Sequence, residues 1–296
     1  MKSFSNKVAV VTGAGSGMGR YLAILLAKAG ANVAICEINE TTLAETHAMM
    51  ADYSVNTSVH VLDVADKVAI EALPAQVIEH HGQVDLVFNN AGVTVDSTFA
   101  DMPEPDWDWV MNINLQAVIN STRAFLPHLQ KRPEAALINT SSIFGMITVP
   151  SQSVYHTTKF AVRGFTECLA KELKDSSVQI HCVHPGHIGT NIVTNARINK
   201  ADETVSPIQQ MMSNMLGLGS SQDDLATFFR EKGMHPSRAS NIILKGVLKN
   251  RTRIFVGLDA KLMDLFQRLT PLHYDKLIAL ITIPLTLMRN KKPLRD

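Results

Sequence analysis

The chain is poor in cysteine, in excess charge of either sign and in long apolar runs. Its 296 residues include three cysteines, Cys36, Cys168 and Cys182, which are too few and too widely spaced for a disulfide framework or a paired metal site. The 28 basic and 27 acidic residues give a net charge of +1, without the basic excess typical of nucleic-acid binding. No apolar run reaches the roughly 18 residues of a membrane span, and the N-terminus has no signal-peptide core. We therefore expect a cytoplasmic globular protein.

What the sequence does contain is an alternation of two kinds of pattern. Short runs rich in branched residues alternate with stretches in which apolar residues recur at helical spacing, as in Ser153–Leu173. Most of the short runs are continuously apolar, as expected of strands covered by helices on both faces. This alternation predicts an α/β fold built on a parallel sheet. The predicted strands are Lys7–Thr12, Asn32–Glu37, Thr57–Asp63, Val84–Asn89, Ala135–Ser141, Val178–Val183 and Arg253–Val256.

A glycine-rich turn joins the first predicted strand to the first helical pattern. Residues Thr12–Gly19 read T-G-A-G-S-G-M-G. Glycines let the backbone approach a pyrophosphate closely, and the N-terminus of the following helix favours its negative charge. The spacing differs from the G-x-G-x-x-G fingerprint, because counting from Gly13 puts Met18 at the last glycine position. The turn predicts a dinucleotide-phosphate site at Gly13, Ser16, Gly17, Met18 and Gly19.

A serine, a tyrosine and a lysine stand at a second informative spacing. Ser142 precedes Tyr155 by thirteen residues, and Lys159 follows the tyrosine by four. On a helix the tyrosine and the lysine share one face, so the ammonium would lower a phenol pKa that is ordinarily about 10. Taken singly, the tyrosine and lysine could form an ordinary amphipathic helix face. Ser142 and its neighbour Ser141 could likewise form a strand-end turn.

Together with Asn89-Asn90-Ala91-Gly92 and Asn114, these motifs follow an order that resembles the short-chain dehydrogenase/reductase family. The resemblance extends from about Lys7 to Gly257, and the glycine turn fits the T-G-x-x-x-G-x-G variant of that family. It implies a Rossmann-type, doubly wound, parallel seven-stranded sheet with helices on both faces. It also implies a dinucleotide-binding and catalytic domain over residues 1–257, with a substrate lid at about 190–233. Residues 258–296 lie outside the resemblance, and their sequence pattern predicts a helical C-terminal extension.

The resemblance implies hydride transfer by a nicotinamide cofactor, assisted by four residues. Tyr155 would be the general acid and base, and Ser142 would bond the reacting oxygen and stabilise its charge. Lys159 would lower the tyrosine pKa and bond the nicotinamide ribose. Asn114 would hold a proton-relay water near that lysine. Ser142 is preferred over Ser141 because it gives the thirteen-residue gap of the family.

An acidic residue at the end of the second predicted strand favours NAD over NADP. The Glu37 carboxylate could accept hydrogen bonds from the adenosine ribose and repel a 2′-phosphate. Ser16 stands where phosphate-preferring relatives often carry a basic residue. The alternative for Glu37 is a solvated carboxylate at a strand end. By resemblance, the remaining cofactor contacts are Asp63 and Val64 at the adenine, Asn90 after the fourth strand, Tyr155 and Lys159 in the catalytic group, and Pro185, Gly186, Ile188 and Thr190 at the nicotinamide, where the Ile188 backbone would hold the carboxamide.

Four histidines lie near these motifs, and we expect none of them to bind a metal. His181, His184 and His187 recur every three residues, a spacing that would suggest a metal site if they shared a helix face. On a strand that enters a Pro-Gly turn they share no such face, so we expect no metal and interpret them as unrelated surface or loop residues. His156 follows Tyr155 and would point about 100° away from it on a helix, so it is interpreted as structural.

The segment Thr190–Gly233 contains no predicted strand and falls where the family places its substrate lid. Methionine side chains adapt to irregular apolar shapes, so the segment predicts a lipophilic alcohol, aldehyde or ketone as substrate. The alternative is that its apolar side chains pack the lid and an oligomer interface. These side chains are Met211, Met212, Met215, Leu216, Phe228 and Phe229.

Contacts with further copies of the chain and with a membrane surface are also expected. The resemblance implies a homo-oligomer, a dimer or a tetramer, paired through the long helices that begin near Pro103 and Ser153. The apolar stretch Leu277–Met288 precedes a basic tail and could touch a membrane surface. The basic residues of that tail include Arg289, Lys291 and Lys292.

Three functions remain open at this point. The leading one is an NAD-dependent alcohol dehydrogenase or carbonyl reductase. The second is a 3-oxoacyl-thioester reductase, which uses the same fold and the same four residues. Glu37 and the near-neutral net charge weigh mildly against it. A preference for the cofactor with a 2′-phosphate, NADP, and an exposed basic patch are common among carrier-protein reductases. The third is a non-catalytic cofactor-binding regulator, against which the intact group of four residues argues.

Overall fold

A parallel sheet of seven strands forms the centre of the protein, whose computed structural model describes residues 1–198, 227 and 231–274. The strands in chain order are β1 (Val8–Thr12), β2 (Asn32–Glu37), β3 (Thr57–Val61), β4 (Leu86–Asn89), β5 (Val95–Asp96), β6 (Ala135–Thr140), β7 (Val178–Pro185), β8 (Arg197–Ile198) and β9 (Arg253–Val256). The large sheet has the order β3-β2-β1-β4-β6-β7-β9, and β5 pairs with β8 separately. The predicted seven-stranded, doubly wound parallel sheet is confirmed.

Helices cover both faces of this sheet. In chain order they are α1 (Gly17–Lys28), α2 (Glu40–Ala48), α3 (Lys67–His81), α4 (Glu104–Met111), α5 (Ala117–Leu129), α6 (Ser153–Glu172), α7 (Pro236–Leu248) and α8 (Leu258–Leu269). Helix α1 packs against α7, and α3 packs against α5. In β1, Ala9 and Val11 join the core shared with α1 and α7, whereas Val8 and Val10 join the core shared with α3 and α5. Because successive strand side chains point to opposite faces, a strand between two cores must be continuously apolar.

At their carboxyl ends, two strands differ from the sequence prediction by two residues. The third strand ends at Val61 instead of Asp63, because the Asp63 carboxylate turns back to accept the Ala65 N–H at 2.8 Å. The strand that precedes the Pro-Gly turn continues to Pro185, because its last residues stay in register with β9, where Pro185 lies opposite Val256. Both differences arise at the carboxyl edge of the sheet, where the predicted site residues lie.

The expectation that no strand follows Thr190 is wrong for the described part of that segment. Strand β8 pairs in parallel with β5. Arg197 fixes this pairing, because its guanidinium lies 3.7 Å above the Trp109 ring and pairs with Asp106 at 2.6 Å. The two-stranded sheet of β5 and β8 therefore connects the start of the predicted lid to the segment after β4.

Several predicted features lie outside the described residues. They are the apolar lid residues Met211, Met212, Met215, Leu216, Phe228 and Phe229, the stretch Leu277–Met288, and the basic residues Arg289, Lys291 and Lys292. Within the ranges that the structure describes, no helix is long and apolar enough to cross a membrane.

Candidate active site

The turn after β1 has a tight shape that depends on glycine. Gly13 has a φ of +66°, in the left-handed region that favours glycine. A Cβ on Gly19 would overlap the Gly13 carbonyl oxygen, so the first turn of α1 packs directly on the loop. Ser16 is the helix N-cap, and its side chain makes no capping hydrogen bond. Because first-turn amides have no acceptor within a helix, the N–H groups of Gly17, Met18 and Gly19 suit an anion.

The loop after β7 reaches this glycine turn. A Cβ on Gly17 would lie 3.1 Å from the Thr190 methyl carbon. The Gly186 N–H donates to the Val256 carbonyl at 2.9 Å, and Ile188 is buried. The structure thus brings the predicted phosphate turn and the predicted nicotinamide loop together.

Asp259 ties the same loop to the C-terminal helix, a contact that sequence reasoning missed. It is the second residue of α8, and its Oδ2 accepts the His187 N–H at 2.5 Å. The carboxylate occupies the space that side chains on Gly186 and Gly257 would need. The two bonded residues are 72 positions apart, and no local pattern in a single sequence signals such a contact.

Asn90 offers an acceptor without a partner at the same edge of the sheet. Its Nδ2 donates to the Thr12 carbonyl at 3.1 Å, and its backbone N–H donates to the Thr12 hydroxyl at 3.0 Å. Its Oδ1 is buried and has no hydrogen-bond partner among the residues that the structure describes. Buried polar atoms rarely stay unpaired, and a ribose hydroxyl would satisfy this oxygen. The residues at this edge therefore fit a dinucleotide cofactor.

Glu37 ends β2 beside the glycine turn. Its Oε2 accepts the Gly15 N–H at 3.2 Å. Arg20 lies in the same region, but its guanidinium donates to the Gly15 carbonyl and pairs with Glu45 at 2.7 Å. A carboxylate thus faces the predicted adenosine site, while the nearby cation is engaged by protein groups.

Asp63 and Val64 lie just beyond the end of β3. Asp63 is exposed, and its side chain accepts a backbone N–H of its own turn, that of Ala65. Val64 is buried in the core beneath α3 and α5. Val64 therefore offers a ligand its backbone and not its side chain.

Tyr155 and Lys159 share one face of α6, and both are buried. The Lys159 Nζ lies 5.5 Å from the centroid of the Tyr155 ring and donates to the Thr140 carbonyl at 3.0 Å. Burial raises the pKa of Tyr155 to about 12, and a hydrogen bond with Ser142 lowers it by less. Burial lowers the pKa of Lys159 to about 8. In the protein alone burial is the larger cause, so the pKa of Tyr155 lies above its ordinary value, and its expected lowering by Lys159 and the bound cofactor stays a prediction.

Ser142 caps a short turn after β6. Its Oγ accepts the Phe144 N–H at 3.1 Å, and its carbonyl accepts the Nδ1–H of His184 at 3.2 Å. The Ser141 hydroxyl instead donates to the Lys159 carbonyl at 2.8 Å and packs against α6. The two serines therefore have different surroundings, which agrees with the preference for Ser142 over Ser141.

Asn114 lies in a π-helical segment, Asn112–Gln116, that interrupts the helical pattern between α4 and α5. Its side chain accepts the Val93 N–H and donates to the Val93 carbonyl, each at 2.9 Å. A Cβ on Gly92 would lie 3.4 Å from the Asn114 Oδ1 and 3.5 Å from the Lys159 Nζ. The structure thus brings Asn114 close to Lys159 across a glycine, through a helix irregularity that the sequence did not predict.

Two of the histidines on β7 are buried, so their interpretation as surface or loop residues is wrong. The Nδ1–H of His181 donates to the Arg251 carbonyl at 2.8 Å, and His184 stacks on Phe255 with ring centroids 5.4 Å apart. Burial lowers the pKa of each to about 4. His184 also supports Ser142 through the bond described above. Among the described residues, no cluster of three or more histidine, cysteine or acidic side chains could hold a metal ion.

His156 fastens the loop that follows Ser142. Its Nδ1–H donates to the Phe144 carbonyl at 3.0 Å, and its Nε2 accepts the Val149 N–H at 3.0 Å. Burial lowers the pKa of His156, which favours the neutral ring that these two bonds require. The contacts agree with the structural role predicted for this residue.

Comparison with known proteins identifies similar chains over most of this length. The model of the family described as short chain dehydrogenase matches residues 7–201. An oxidoreductase named SadH from Mycobacterium tuberculosis is 37% identical over 283 residues, which cover 94% of this chain and 96% of that protein. A 3-oxoacyl-[acyl-carrier-protein] reductase, FabG, from Thermotoga maritima is 34% identical over 198 residues, covering 67% of this chain and 80% of its own.

Solved structures extend the similarity to the fold. A short-chain dehydrogenase/reductase from Burkholderia phymatum, in complex with NAD, has a TM-score of 0.78 and 26% identity, covering 100% of both chains. A short chain dehydrogenase from Mycobacterium smegmatis has a TM-score of 0.60 and 31% identity, covering 68% of this chain and 82% of its own.

Proposed function

The chain belongs to the short-chain dehydrogenase/reductase family, and from this premise we propose that it transfers a hydride between NAD(H) and an alcohol or carbonyl substrate. The observation that carries the proposal is the position of buried Tyr155 and Lys159 beside Ser142, at the edge where Asn90 keeps an unpartnered oxygen. A redox assay on the purified protein, with a panel of alcohols and carbonyl compounds, tests it.

Tyr155 is the proposed general acid and base. When bound, the cofactor supplies or accepts the hydride and, if oxidised, adds positive charge beside the phenol. In reduction Tyr155 donates its proton to the carbonyl oxygen, and in oxidation its phenolate accepts the alcohol proton. Ser142 donates a hydrogen bond to the same oxygen and stabilises its developing charge. Because burial raises the phenol pKa to about 12, the protein alone favours the protonated form that reduction requires.

Lys159 is proposed to carry positive charge beside the phenol and to bond the nicotinamide ribose. Within the described residues its Nζ donates to the Thr140 carbonyl, and an ammonium has two further N–H donors for a ribose. Asn114 is proposed to hold a relay water near this ammonium. Its position across Gly92 from Lys159 supports that role.

We propose that the dinucleotide lies along the carboxyl edge of the sheet, from the end of β2 to the loop after β7. The N-terminus of α1, where Ser16 makes no side-chain capping hydrogen bond, and the unpartnered oxygen of Asn90 support this course. The proposed contacts are Gly13, Ser16, Gly17, Met18 and Gly19 at the pyrophosphate, Glu37 at the adenosine ribose, Asp63 and Val64 at the adenine, Asn90, Tyr155 and Lys159 along the nicotinamide ribose, and Pro185, Gly186, Ile188 and Thr190 at the nicotinamide.

Glu37 is proposed to set a preference for NADH over NADPH. We expect Glu37→Ala to reduce the ratio of kcat/KM for the two cofactors by about 10- to 100-fold, because the carboxylate no longer repels a 2′-phosphate. Arg20 is already paired with Glu45 and bonded to the Gly15 carbonyl, so among the described residues its guanidinium is engaged by protein groups in the wild type.

Glu40→Ala serves as the matched control for this measurement. Glu40 is an exposed carboxylate in the first turn of α2, three residues from Glu37, and its removal should leave the ratio unchanged. A wild-type enzyme with higher kcat/KM for NADPH than for NADH would contradict the proposed preference.

The proposed substrate is a lipophilic alcohol, aldehyde or ketone. The composition of the lid segment supports this, since it combines three methionines with Phe228 and Phe229. Each buried methylene contributes about 0.8 kcal/mol, so kcat/KM should rise about fourfold per added methylene in a series of straight-chain alcohols. If the lid residues instead pack only the lid and an oligomer interface, kcat/KM will not change with chain length. A preference for sugars or other polar polyols would likewise contradict the proposal.

A second candidate is reduction of 3-oxoacyl thioesters. The similarity to FabG from Thermotoga maritima, at 34% identity over 198 residues, is the observation that favours it. Thioesters of 3-oxoacyl chains attached to coenzyme A or to carrier protein, assayed with NADH and NADPH, separate the two candidates. Reduction of these thioesters in preference to simple ketones would select the second.

The protein is further proposed to form a homo-oligomer through α6 and through the helices α4 and α5. Phe160 on α6 is 38% exposed in the single chain, which leaves an apolar side chain for such an interface. Light scattering at micromolar concentration should give the mass of a dimer or a tetramer, and the mass of a monomer would contradict this.

The C-terminal extension is the proposed site of peripheral membrane contact. Four leucines of α8 lie on one face of the helix and are between 39% and 71% exposed. The exposed charged residues of α8 are basic, whereas its two aspartates turn inward, so this face suits an anionic lipid surface. Flotation of the full chain with vesicles containing anionic lipid tests the contact, and failure to float contradicts it. The leucines are Leu258, Leu262, Leu265 and Leu269.

A further inference from the structure

Helix α8 begins beside the loop that we propose holds the nicotinamide. Gly257, with a φ of +110°, turns the chain from β9 into α8, and Asp259 follows in the first helical turn. The Asp259 carboxylate accepts the His187 N–H at 2.5 Å. Hydrogen bonds to ionised groups are shorter and stronger than bonds between neutral groups. The extension outside the family core is thus bonded to the backbone of the catalytic domain.

The carboxylate fills a closed space between the loop and the helix. A Cβ on Gly186 or on Gly257 would overlap the Asp259 side chain. The Gly186 N–H is held by the Val256 carbonyl at 2.9 Å, so two successive N–H groups of the loop have fixed acceptors. On the other side of the loop, Met234 donates to the His187 carbonyl at 2.9 Å.

These bonds determine the orientation of the peptide that leads into Ile188. We propose that Asp259 is a positioning residue that holds the backbone at His187, so that Ile188 presents its main-chain groups to the carboxamide of the nicotinamide. The proposal rests on the NAD(H) function proposed above. It makes the first turn of α8 a support of the cofactor site, because Asp259 acts through its bond to the loop at His187 and not by contact with the cofactor.

A purely structural role for Asp259 predicts a different pattern of effects. An acidic residue in the first turn of a helix stabilises that helix through its dipole, whatever lies opposite. Loss of that stabilisation would not discriminate between the two halves of the cofactor. Loss of positioning at His187 would affect only ligands that carry a nicotinamide.

The test compares the binding of NADH with that of ADP-ribose, which lacks the nicotinamide, by calorimetric titration of the full chain. For Asp259→Ala we expect about tenfold weaker NADH binding, with ADP-ribose within about twofold of wild type. Asp259→Asn should weaken NADH binding less, because its amide oxygen still accepts a hydrogen bond. Asp264→Ala is the matched control: Asp264 is a carboxylate of the same helix that pairs with Arg268 at 2.8 Å, and its removal should change neither affinity.

The turnover number gives a second measurement. Misplacement of the nicotinamide by about 1 Å can cost about 100-fold in rate, so kcat should fall in Asp259→Ala beyond the loss in NADH affinity. Equal weakening of NADH and ADP-ribose, or no weakening of either, overturns the positioning role. If Asp259→Ala does not fold, Asp259→Asn alone decides by the same comparison. A wild-type protein that binds neither ligand contradicts the proposed function, and the inference falls with it.

Discussion

We expect Tyr155→Phe to lower kcat by about 100- to 10,000-fold and to leave the Kd for NADH within about twofold of wild type. The substitution removes the phenolic oxygen, which in our proposal gives the proton to the carbonyl oxygen of the substrate. It keeps the aromatic ring, whose centroid lies 6.2 Å from that of Phe144, so the packing of the site is preserved. Among the described residues, we propose no other side chain near Ser142 as the donor of this proton.

The comparison requires conditions in which chemistry limits the rate. A primary isotope effect with deuterated cofactor identifies such conditions in the wild type. Tyr53→Phe is the matched control, because Tyr53 lies in the loop between α2 and β3 and packs on the core. It should keep the full rate. Retention of more than half the wild-type rate by Tyr155→Phe would show that the phenol does not carry the proton.

Lys159→Met impairs both cofactor binding and turnover. We expect the Kd for NADH to rise about tenfold, from loss of the ribose hydrogen bond, and kcat to fall about 100-fold or more, from loss of charge beside the phenol. Methionine retains the apolar stem of the buried lysine, so the loss of packing is small. Fluorescence titration with NADH and steady-state kinetics measure the two effects separately.

The same NADH titrations, repeated over a range of pH, give a second test of the role of Lys159. Because burial lowers the pKa of Lys159 to about 8, the ammonium is progressively lost as the pH rises through that value in the free protein. Wild-type affinity should therefore weaken above about pH 8, and Lys159→Met should remove that weakening. Lys171→Met, an exposed lysine in the last turn of α6, should retain the wild-type profile. Unchanged affinity and rate in Lys159→Met would contradict both proposed roles.

Features with a local cause could be predicted from the sequence. The run Val8–Val11 is apolar because β1 lies between two cores, and that pattern is visible without a structure. The glycines of the first turn, such as Gly13, meet backbone requirements that few other residues satisfy. The spacing of Tyr155 and Lys159 follows from the period of one helix. Each of these signals depends on residues a few positions apart.

Features that depend on distant contacts could not be predicted. The sequence favours a surface or loop position for His184, beside the Pro-Gly turn, yet pairing with β9 extends β7 and buries it. The bond between Asp259 and His187 joins separate elements across 72 positions. The direction of the Tyr155 pKa shift depends on burial, and burial cannot be read from the residues of one helix face alone. The π-helical segment around Asn114 likewise could not be predicted, because no residue spacing in the sequence indicates it.

Transfer of deuterium from cofactor to product tests the central claim most directly. The wild-type enzyme would be incubated with NADH that carries deuterium at both hydrogen positions of C4 of the dihydronicotinamide, and with medium-chain aldehydes, ketones and 3-oxoacyl thioesters in parallel. Mass spectrometry of the products then reports whether the label has moved to carbon. The account predicts an alcohol with one deuterium on the former carbonyl carbon, formed by the wild type and almost absent with Tyr155→Phe. Oxidation of NADH without deuterium in any product, or equal labelled product from Tyr155→Phe, would contradict it.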